Sequence, residues 1–517
     1  MKSISILWTD DEIDLLRPHI LFLESKGYTV TTASNGDDAI KLVNSQSFDL
    51  VFLDENMPGL SGLETLSNIK SINPNLPVVM VTKSEEENIM DEAIGGKIED
   101  YLIKPVNPNQ VLLSIKKALD NKRLVTEKTT SAYQMKFSEF SKKIMMASEM
   151  EDWVDLYKEL TYWDLELENS TDSGMKDVLN MQKQEANNEF TRFIKINYLS
   201  WFKSETKNKP LLSPSVFKNT VFPLLAPKQS VVVILIDNLR LDQWRVITPL
   251  LLEYYTLQSD NVYCSILPTA TQYSRNALFA GLMPFEIQQL SPECWLEEDD
   301  EGSKNEYEEE LLQNQIARLG KGVRFYYEKI HRGKAGKKLV DNYTSLLNYD
   351  LSVIVYNFVD MLSHARTEME MIRELAYDEA AYRSLTQSWF THSQLLDLLK
   401  LLAQHNVKIV ITTDHGSIRV SNPVKVVGDK KTTSNLRFKC GKNLNYNPKE
   451  VYDILKPEQA HLPKSNLSST YIFASSYDYL VYPNNYNYYA KYYKSTFQHG
   501  GISMEEMLIP LAVLQPK

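Results

Sequence analysis

Lys408-Ile-Val-Ile-Thr-Thr-Asp414-His415-Gly416 is the stretch that decides how the C-terminal half of this chain folds. A run of apolar, β-branched residues ends abruptly in Asp-His-Gly, which predicts a buried strand with two metal-ligating side chains at its carboxyl end. In open α/β sheets, ligand and catalytic sites collect at that end of the strands. The stretch therefore predicts a central sheet with a functional site along one edge.

Three other segments share this design. Val231–Asp237 and Ser352–Asp360 are apolar runs that end in Asp, and Gln498-His499-Gly-Gly supplies an imidazole near the C-terminus. Each residue by itself also fits a structural role such as a helix cap. Together they are the ligand types that a pair of divalent ions needs, and Zn²⁺ accepts mixed Asp and His ligands. The six candidate ligands are Asp237, Asp360, His364, Asp414, His415 and His499.

A candidate nucleophile lies in Leu267-Pro-Thr-Ala-Thr271-Gln-Tyr-Ser-Arg275. A helix-like pattern follows this segment, so Thr271 is predicted near a helix N-terminus, where free backbone N–H groups attract phosphate oxygens. A metal ion lowers the pKa of a hydroxyl and makes it a usable nucleophile. The alternative is that Thr271 only caps the helix.

Length and composition limit the functional classes. The chain has 517 residues, of which 43% are hydrophobic and 24% are charged, and this length predicts three or four globular domains. The net charge of -11 argues against a surface that coats duplex DNA, because such binding depends on Lys and Arg. The 3 cysteines form no Cys-x-x-Cys pair, which is typical of a reducing compartment. No signal peptide and no membrane span are apparent, so we expect a soluble, cytoplasmic protein.

Residues 1–120 alternate strand and helix patterns, which predicts a doubly wound parallel sheet. The strand candidates are Ser3–Trp8, Tyr28–Ala33, Phe48–Asp54, Val78–Thr82 and Asp100–Lys104. Polar residues stand at or just beyond the carboxyl ends of these strands, namely Asp10, Asp11, Asp54, Thr82 and Lys104. Crowded carboxylates favour Mg²⁺, and a metal-bound carboxylate beside an ammonium group is suited to accept a phosphoryl group.

Asp10-Asp11, Leu53-Asp54-Glu-Asn-Met-Pro58-Gly, Val81-Thr82 and Tyr101-Leu-Ile-Lys104-Pro resemble a response-regulator receiver domain. The resemblance implies a flavodoxin-like fold in which a sensor histidine kinase phosphorylates Asp54. It implies a Mg²⁺ site formed by Asp10, Asp11, Asp54 and the backbone of Asn56, and it implies that Thr82, Tyr101 and Lys104 are switch residues.

Residues 121–205 have a helical pattern with apolar positions at three-to-four spacing, which predicts a small helical bundle that links the flanking domains. We find no helix-turn-helix signature in it. In residues 206–517, the central-strand candidates are Val231–Ile236, Gly322–Tyr327, Leu351–Phe358 and Lys408–Thr413. Residues 297–310 are expected to be a solvated loop or an exposed helix, and Tyr477–Tyr493 a loop and an edge strand.

The motifs of residues 206–517 are similar to those of the alkaline phosphatase superfamily, and more specifically to a PglZ domain. The resemblance implies an α/β domain with a central, mainly parallel sheet and two Zn²⁺ ions. One zinc would bind Asp360, His364 and His499, and the other Asp237, Asp414 and His415. Thr271 would form a transient phosphothreonine during hydrolysis of oligonucleotide-type phosphodiesters.

The order of receiver, helical bundle and PglZ domain resembles the PorX family of response regulators. This resemblance implies control of type IX secretion, homodimerisation when Asp54 is phosphorylated, and a sensor kinase and an extracytoplasmic-function sigma factor as partners. Three alternatives stay open: a non-catalytic effector that docks a sigma factor or kinase through a zinc-containing domain, a DNA-binding transcription factor, and a phosphomonoesterase or mutase. For a monoester, Arg275 and scattered lysines are the candidate cations.

Overall fold

The computed structural model describes residues 4–73, 76–83, 98–168, 173–203, 209–227, 229–296, 303–319, 322–330, 333–429, 432–464 and 468–517. The chain divides into two compact units. One comprises residues 1–135 and 169–175, and the other comprises residues 136–168 and 176–517.

The first unit is an α/β domain with a five-stranded sheet. Its strands are β1 (Ser5–Thr9), β2 (Thr29–Ala33), β3 (Leu50–Asp54), β4 (Val78–Thr82) and β5 (Asp100–Ile103). The strand order is β2-β1-β3-β4-β5, and every neighbouring pair is parallel. Its helices are α1 (Arg17–Ser25), α2 (Gly36–Ser45) and α3 (Gly62–Ile72). The helix predicted between β4 and β5 falls on residues 84–97, outside the described part of the chain.

Alternating side chains of the strands form a separate core on each face of this sheet. Leu7, Val51 and Leu53 pack into one core, whereas Ile6 and Phe52 pack into the other. A strand covered on both faces needs apolar residues at every position, which explains the continuous apolar runs in the sequence. The doubly wound fold predicted for this segment is confirmed.

Three long helices follow, as the sequence predicts. They are α4 (Pro108–Met146), α5 (Met150–Glu168) and α6 (Ser173–Asn197). Helix α4 continues through residue 120, where the sequence analysis places a domain boundary. The apolar stripe of α5 is buried and includes Trp153, Leu156, Tyr157 and Leu160, so the aromatic residues of this stripe serve packing.

The second unit contains a six-stranded sheet in the order β7-β18-β10-β6-β9-β8. These strands are β6 (Ser230–Ile236), β7 (Tyr255–Cys264), β8 (Phe325–Ile330), β9 (Leu351–Tyr356), β10 (Val407–Thr412) and β18 (Leu508–Pro516). β10, β6, β9 and β8 are parallel, whereas β18 runs antiparallel to both β10 and β7. The predicted central, mainly parallel sheet is confirmed.

Smaller sheets and many helices surround this sheet. The remaining strands are β11 (Ile418–Arg419), β12 (Asn422–Lys425), β13 (Phe438–Gly441), β14 (Val451–Ile454), β15 (Thr470–Ala474), β16 (Asp478–Val481) and β17 (Phe497–Gln498). The helices are α7 (Leu241–Leu252), α8 (Thr271–Ala280), α9 (Pro284–Leu290), α10 (Glu308–Arg318), α11 (Gly333–Asp341), α12 (Phe358–Glu368), α13 (Glu370–Leu375), α14 (Glu379–Thr391), α15 (Gln394–Leu402), α16 (Tyr486–Tyr493) and α17 (Met504–Met507).

Two local expectations hold only in part. The tyrosine-rich segment expected to be loop and edge strand begins with strand β16 of a two-stranded sheet, but it ends in helix α16, in which Tyr488 stacks on Tyr492 and Tyr489 on Tyr493. Ring contacts at i, i+4 spacing outweigh the strand propensity of tyrosine there. Of the acidic stretch 297–310, residues 297–302 lie outside the described part of the chain, and Glu309 and Glu310 are exposed on α10 as expected. Glu308 is the exception: it is buried at the start of α10, where Arg275 and Lys329 pair with it.

Candidate metal centre and phosphoacceptor site

The first candidate site lies at the carboxyl edge of the five-stranded sheet. Asp10 and Asp11 follow β1, Asp54 ends β3, Thr82 ends β4, Tyr101 lies on β5, Lys104 follows β5, and Asn56 is exposed just after β3. Lys104 Nζ bridges Asp10 Oδ2 at 2.8 Å and Asp54 Oδ1 at 2.9 Å. The Thr82 hydroxyl donates a hydrogen bond to the Glu55 carboxylate.

The carboxylates of this site fit a cation. Asp10, Asp11 and Asp54 each offer an oxygen, and these atoms lie within 4.8 Å of one another. Burial raises the pKa of Asp54 to about 6; the charges of Asp10 and Asp11 add to the rise, against the hydrogen bond and charge of Lys104. Mg²⁺ prefers such oxygen donors and would relieve the repulsion among them. Receiver domains bind Mg²⁺, and these three side chains would hold it here.

The second candidate site lies at the carboxyl edge of the six-stranded sheet. Asp237 comes directly after β6, Asp414 and His415 follow β10, and α12, which carries Asp360 and His364, follows β9. These strands are apolar and buried, and their carboxyl ends share one edge because they are parallel. The edge therefore receives ligand side chains from chain segments far apart in sequence.

The structure brings the six predicted ligands into two adjacent triads. Each triad offers ligand atoms within 4.8 Å of one another, and the triads are Asp360, His364 and His499, and Asp237, Asp414 and His415. The His415 and His499 rings stack at 4.2 Å between centroids, which places the triads side by side. Asp237, Asp414 and His415 are buried, whereas the His364 side chain is 61% exposed. Solvent therefore reaches the centre from the His364 side.

Backbone contacts orient two of the imidazoles. His415 Nδ1 donates to the Gly416 carbonyl at 3.1 Å, and His499 Nδ1 donates to the Thr269 carbonyl at 3.2 Å. In both rings Nε2 therefore faces the carboxylates, and it is the nitrogen left over for a metal ion. Burial, helped by His415, lowers the pKa of His499 to about 3, so this imidazole is neutral near pH 7.

The glycine after His415 is required for packing and not for an unusual backbone conformation, since its φ is not positive. A Cβ at Gly416 would instead lie 2.0 Å from the Glu505 carbonyl oxygen, so close packing requires glycine. In the His-Gly-Gly motif, Gly500 does adopt a positive φ of 122°.

Thr271 joins the buried triad. It is the first residue of α8, and Ala270 occupies the capping position, so Thr271 does not cap the helix. Thr271 Oγ1 lies 3.1 Å from His415 Nε2. The hydroxyl therefore lies next to the predicted ligand atoms and at the N-terminus of α8, as predicted from the sequence.

The residues that form hydrogen bonds or ion pairs with these ligands, or with the loops that carry them, were not predicted from the sequence. Asn238 Nδ2 lies 3.3 Å from Asp360 Oδ1, and the Thr269 hydroxyl bonds Gly500 N and the Gly501 carbonyl, each at 3.0 Å. Arg275, a candidate phosphate cation in the sequence, is instead fully buried against Asp237 and Asp414. The only sequence signals were that Asn238 follows a ligand and that Arg275 lies one helical turn after Thr271.

The donor set fits divalent metal ions. Asp237 Oδ1 is buried without a hydrogen-bond partner and lies 3.8 Å from His415 Nε2. Burial raises the pKa of Asp237, whereas Arg275 and His415 help hold that of Asp414 at about 2 against the effect of burial. An orphaned carboxylate oxygen beside an imidazole nitrogen is a position where a cation replaces missing hydrogen bonds. Nitrogen and oxygen donors in this mixture suit zinc and related ions.

Among the described residues, no helix is both long and apolar enough to cross a membrane.

Comparison with known proteins assigns a family to each part of the chain. Residues 6–116 match the response regulator receiver domain, and residues 123–202 match the PorX response regulator linker domain. Residues 216–514 match the BREX system PglZ alkaline phosphatase-like domain, whose fold is that of metalloenzymes.

Individual relatives match a smaller part of the chain. ZraR, a transcriptional regulatory protein of Klebsiella oxytoca, is 35% identical over 138 residues, which are 26% of this chain and 31% of that protein. ResD, a transcriptional regulatory protein of Bacillus subtilis, is 34% identical over 118 residues, 23% of this chain and 49% of that protein. The chain thus spans less than half the length of these relatives.

A CheY-like receiver domain from Methanospirillum hungatei is similar in structure, with 28% identity, a TM-score of 0.23, and coverage of 23% of this chain and 96% of that one. Because the PglZ match alone extends over more than half of the sequence, the protein belongs to the PglZ alkaline phosphatase-like family, with a response regulator receiver domain and a PorX linker domain in front.

Proposed function

We propose that this response regulator has a zinc-dependent phosphodiesterase as its output, with oligonucleotide-type phosphodiesters as substrates. The observation that carries the proposal is the position of Thr271, whose Oγ1 lies 3.1 Å from His415 Nε2 among six convergent Asp and His side chains. A purely structural metal site has no need of a hydroxyl there. The hydroxyl is the nucleophile that the alkaline phosphatase-like chemistry requires.

The chain's own residues account for the two displacement steps. Thr271 Oγ1 attacks phosphorus and displaces one esterified oxygen, which leaves as an alcohol with the hydroxyl proton. Water then cleaves the threonine ester, restoring the hydroxyl and releasing a phosphomonoester. The N-terminus of α8 offers backbone N–H groups to the non-bridging oxygens in both steps. Bound divalent ions supply charge stabilisation at the attacking and leaving oxygens.

The burial of Arg275 supports diesters over monoesters. Its guanidinium is fully buried and engaged by Asp237, Asp414 and Glu308, so it is not available to a substrate phosphate. A monoester dianion carries one more charge than a diester and needs a further cation near the phosphate. A phosphodiester carries a single negative charge and does not need this further cation, so it is the better match to this site.

Phosphorylation of Asp54 is the proposed control. Lys104 Nζ lies 2.9 Å from Asp54 Oδ1 and would pair with the transferred phosphate, and Thr82 would sense it. The receiver domain implies a phosphodonor such as a sensor kinase. We further propose a homodimer of the phosphorylated protein, an extracytoplasmic-function sigma factor as partner, and a role in type IX secretion.

Thr271→Ala tests the chemistry. The variant is expected to bind as much zinc as the wild type, because Thr271 is not among the six ligands, yet to hydrolyse bis(p-nitrophenyl) phosphate at least about 100-fold more slowly. Zinc content is measured by elemental analysis and turnover by p-nitrophenolate release. Thr271→Ser retains the hydroxyl and should keep measurable turnover.

Wild-type turnover in Thr271→Ala would remove this residue from the mechanism. A wild-type protein that binds zinc but hydrolyses no diester would favour the binding-effector alternative. A faster reaction with p-nitrophenyl phosphate than with the diester would contradict the proposed substrate class.

A further inference from the structure

Arg275 is a buried side chain that pairs with carboxylates of the candidate metal centre. Its side chain is wholly inaccessible to solvent and contacts three carboxylates. The Nε atom donates to Asp414 Oδ2 at 2.9 Å, the Nη2 atom pairs with Asp237 Oδ2, and the Nη1 atom lies 3.4 Å from Glu308 Oε1. Two of these three carboxylates belong to the buried ligand triad.

Glu308 anchors the guanidinium from the side away from the ligands. Its Oε1 atom also accepts from Lys329 Nζ at 3.0 Å and from the Asn305 amide, and its Oε2 atom accepts from the Tyr327 hydroxyl. The Glu308 residue is only 1% exposed, so a buried charge of this kind requires these partners. Glu308 therefore fixes the position of Arg275 independently of the metal ligands.

The two oxygens of the Asp237 carboxylate have different surroundings, because only one of them contacts the guanidinium. Oδ2 pairs with Arg275, while Oδ1 has no hydrogen-bond partner and lies 3.8 Å from His415 Nε2. In Asp414, the oxygen that faces His415 Nε2 at 3.6 Å is the same one that Arg275 Nε holds at 2.9 Å. A planar fork with five fixed donors can set the orientation of two carboxylates at once.

We propose that Arg275, supported by Glu308, is a positioning residue that orients Asp237 and Asp414 for metal binding rather than a residue that binds substrate. This inference rests on the metal-binding part of the proposed function and not on the hydrolytic part. Outer-shell partners of this kind orient ligands and commonly change metal affinity 10- to 100-fold when removed.

A simple electrostatic role predicts the opposite effect on metal affinity. If Arg275 only neutralised the buried carboxylates, its removal would leave more negative charge and strengthen the attraction for a cation. If Arg275 positions the carboxylates, its removal frees their rotation and weakens binding, although the repelling charge is gone. The sign of the change therefore separates the two roles.

Arg275→Met in the full-length chain tests this inference, because methionine keeps much of the volume and removes the charge. Zinc affinity is measured with Zn²⁺ alone by competition with a fluorescent chelator, without any substrate. We expect about 10- to 100-fold weaker binding at the tightest site lost. Arg245→Met is the control: the partly buried Arg245 also pairs with a carboxylate, that of Asp260, but it contacts no predicted ligand, so zinc affinity should be unchanged.

Glu308→Gln keeps the claim testable if Arg275→Met does not fold. The amide retains the shape but loosens the anchor, so weaker zinc binding in the same direction is expected, by less than in Arg275→Met. Unchanged or tighter binding in a folded variant would overturn the positioning role. Zinc affinity is measured without substrate, and wild-type turnover is measured separately. The affinity result can therefore be interpreted even if the protein does not hydrolyse phosphodiesters.

Discussion

At the scale of single residues, the geometry of the candidate metal centre depends on residues that are not themselves predicted ligands. Thr269 illustrates this, because its carbonyl accepts from His499 Nδ1 while its hydroxyl ties Gly500 N to the Gly501 carbonyl. The hydroxyl holds a loop whose first glycine has a φ of 122°. A ligand imidazole is thus oriented by one threonine through both its backbone and its side chain.

Thr269→Val is expected to destabilise the fold by about 1–3 kcal/mol, because it leaves the buried Gly500 N–H and Gly501 carbonyl without their hydroxyl partner. Urea unfolding monitored by circular dichroism measures the change. Thr248→Val is the matched control: the Thr248 hydroxyl only donates to a carbonyl one helical turn earlier, at Trp244, so it should cost less. Equal costs in the two variants would contradict the role given to Thr269.

At the scale of elements, two linker helices are attached to the loops that carry metal ligands. Arg383 on α14 pairs with Asp164 and Glu168 of α5 and with Asp242, five residues after Asp237. Asn187 on α6 bonds Met504 N at 2.8 Å and Glu505 Oε2 at 2.9 Å, beside the carbonyl that packs on Gly416. Polar side chains of both linker helices therefore contact segments that lie next to candidate metal ligands in the sequence.

Arg383→Met is expected to destabilise the protein by about 3–5 kcal/mol near pH 7, because it leaves buried carboxylates unpaired. Although burial opposes them, Arg240 and Arg383 keep the pKa of Asp242 well below its usual range, and Lys183 and Arg383 lower that of Asp164. Acids whose pKa is depressed by folding stabilise the folded state above their unfolded pKa, and this contribution is lost as the pH falls.

The stability difference between the wild type and Arg383→Met should therefore be largest near neutral pH and shrink as the pH falls below about 4. Urea midpoints measured across pH 3 to 7 for both proteins test this. A difference that does not depend on pH would indicate lost packing rather than lost charge pairing.

Also at the scale of elements, the sequence predicts the strands and the candidate ligands at their ends, but it does not predict the side-chain pairs between segments that are distant in sequence. Apolar runs such as Val231–Ile236 define buried strands, and the Asp at each strand end marks the site edge because parallel strands end together. Helix α16 was missed because a contact between tyrosine rings four residues apart outweighs propensity. The pairing of Arg275 with Glu308 could not be predicted, because only the tertiary fold brings Glu308 and its second partner, Lys329, next to Arg275.

At the scale of the whole molecule, the chain joins a receiver domain to an alkaline phosphatase-like domain through a linker domain. Helix α4 is continuous from Pro108 to Met146, so it begins in the receiver unit and ends in the other unit. The candidate phosphoacceptor Asp54 and the candidate metal centre lie in different units.

Acetyl phosphate with Mg²⁺ is expected to convert the wild-type protein from monomer to dimer, because the proposed switch is a phosphate on Asp54. Size-exclusion chromatography with light scattering measures the mass. Asp54→Asn cannot form the acyl phosphate and should stay monomeric while it keeps its zinc. A dimer of Asp54→Asn that depends on acetyl phosphate would show that another residue is modified.

Anomalous diffraction at the zinc absorption edge, from crystals of the zinc-loaded protein, locates the metal ions themselves. We expect two neighbouring peaks in the alkaline phosphatase-like domain, one bounded by Asp360, His364 and His499 and one by Asp237, Asp414 and His415, with Thr271 Oγ1 beside the second. A single peak, or zinc bound away from these side chains, would rule out the two-zinc centre.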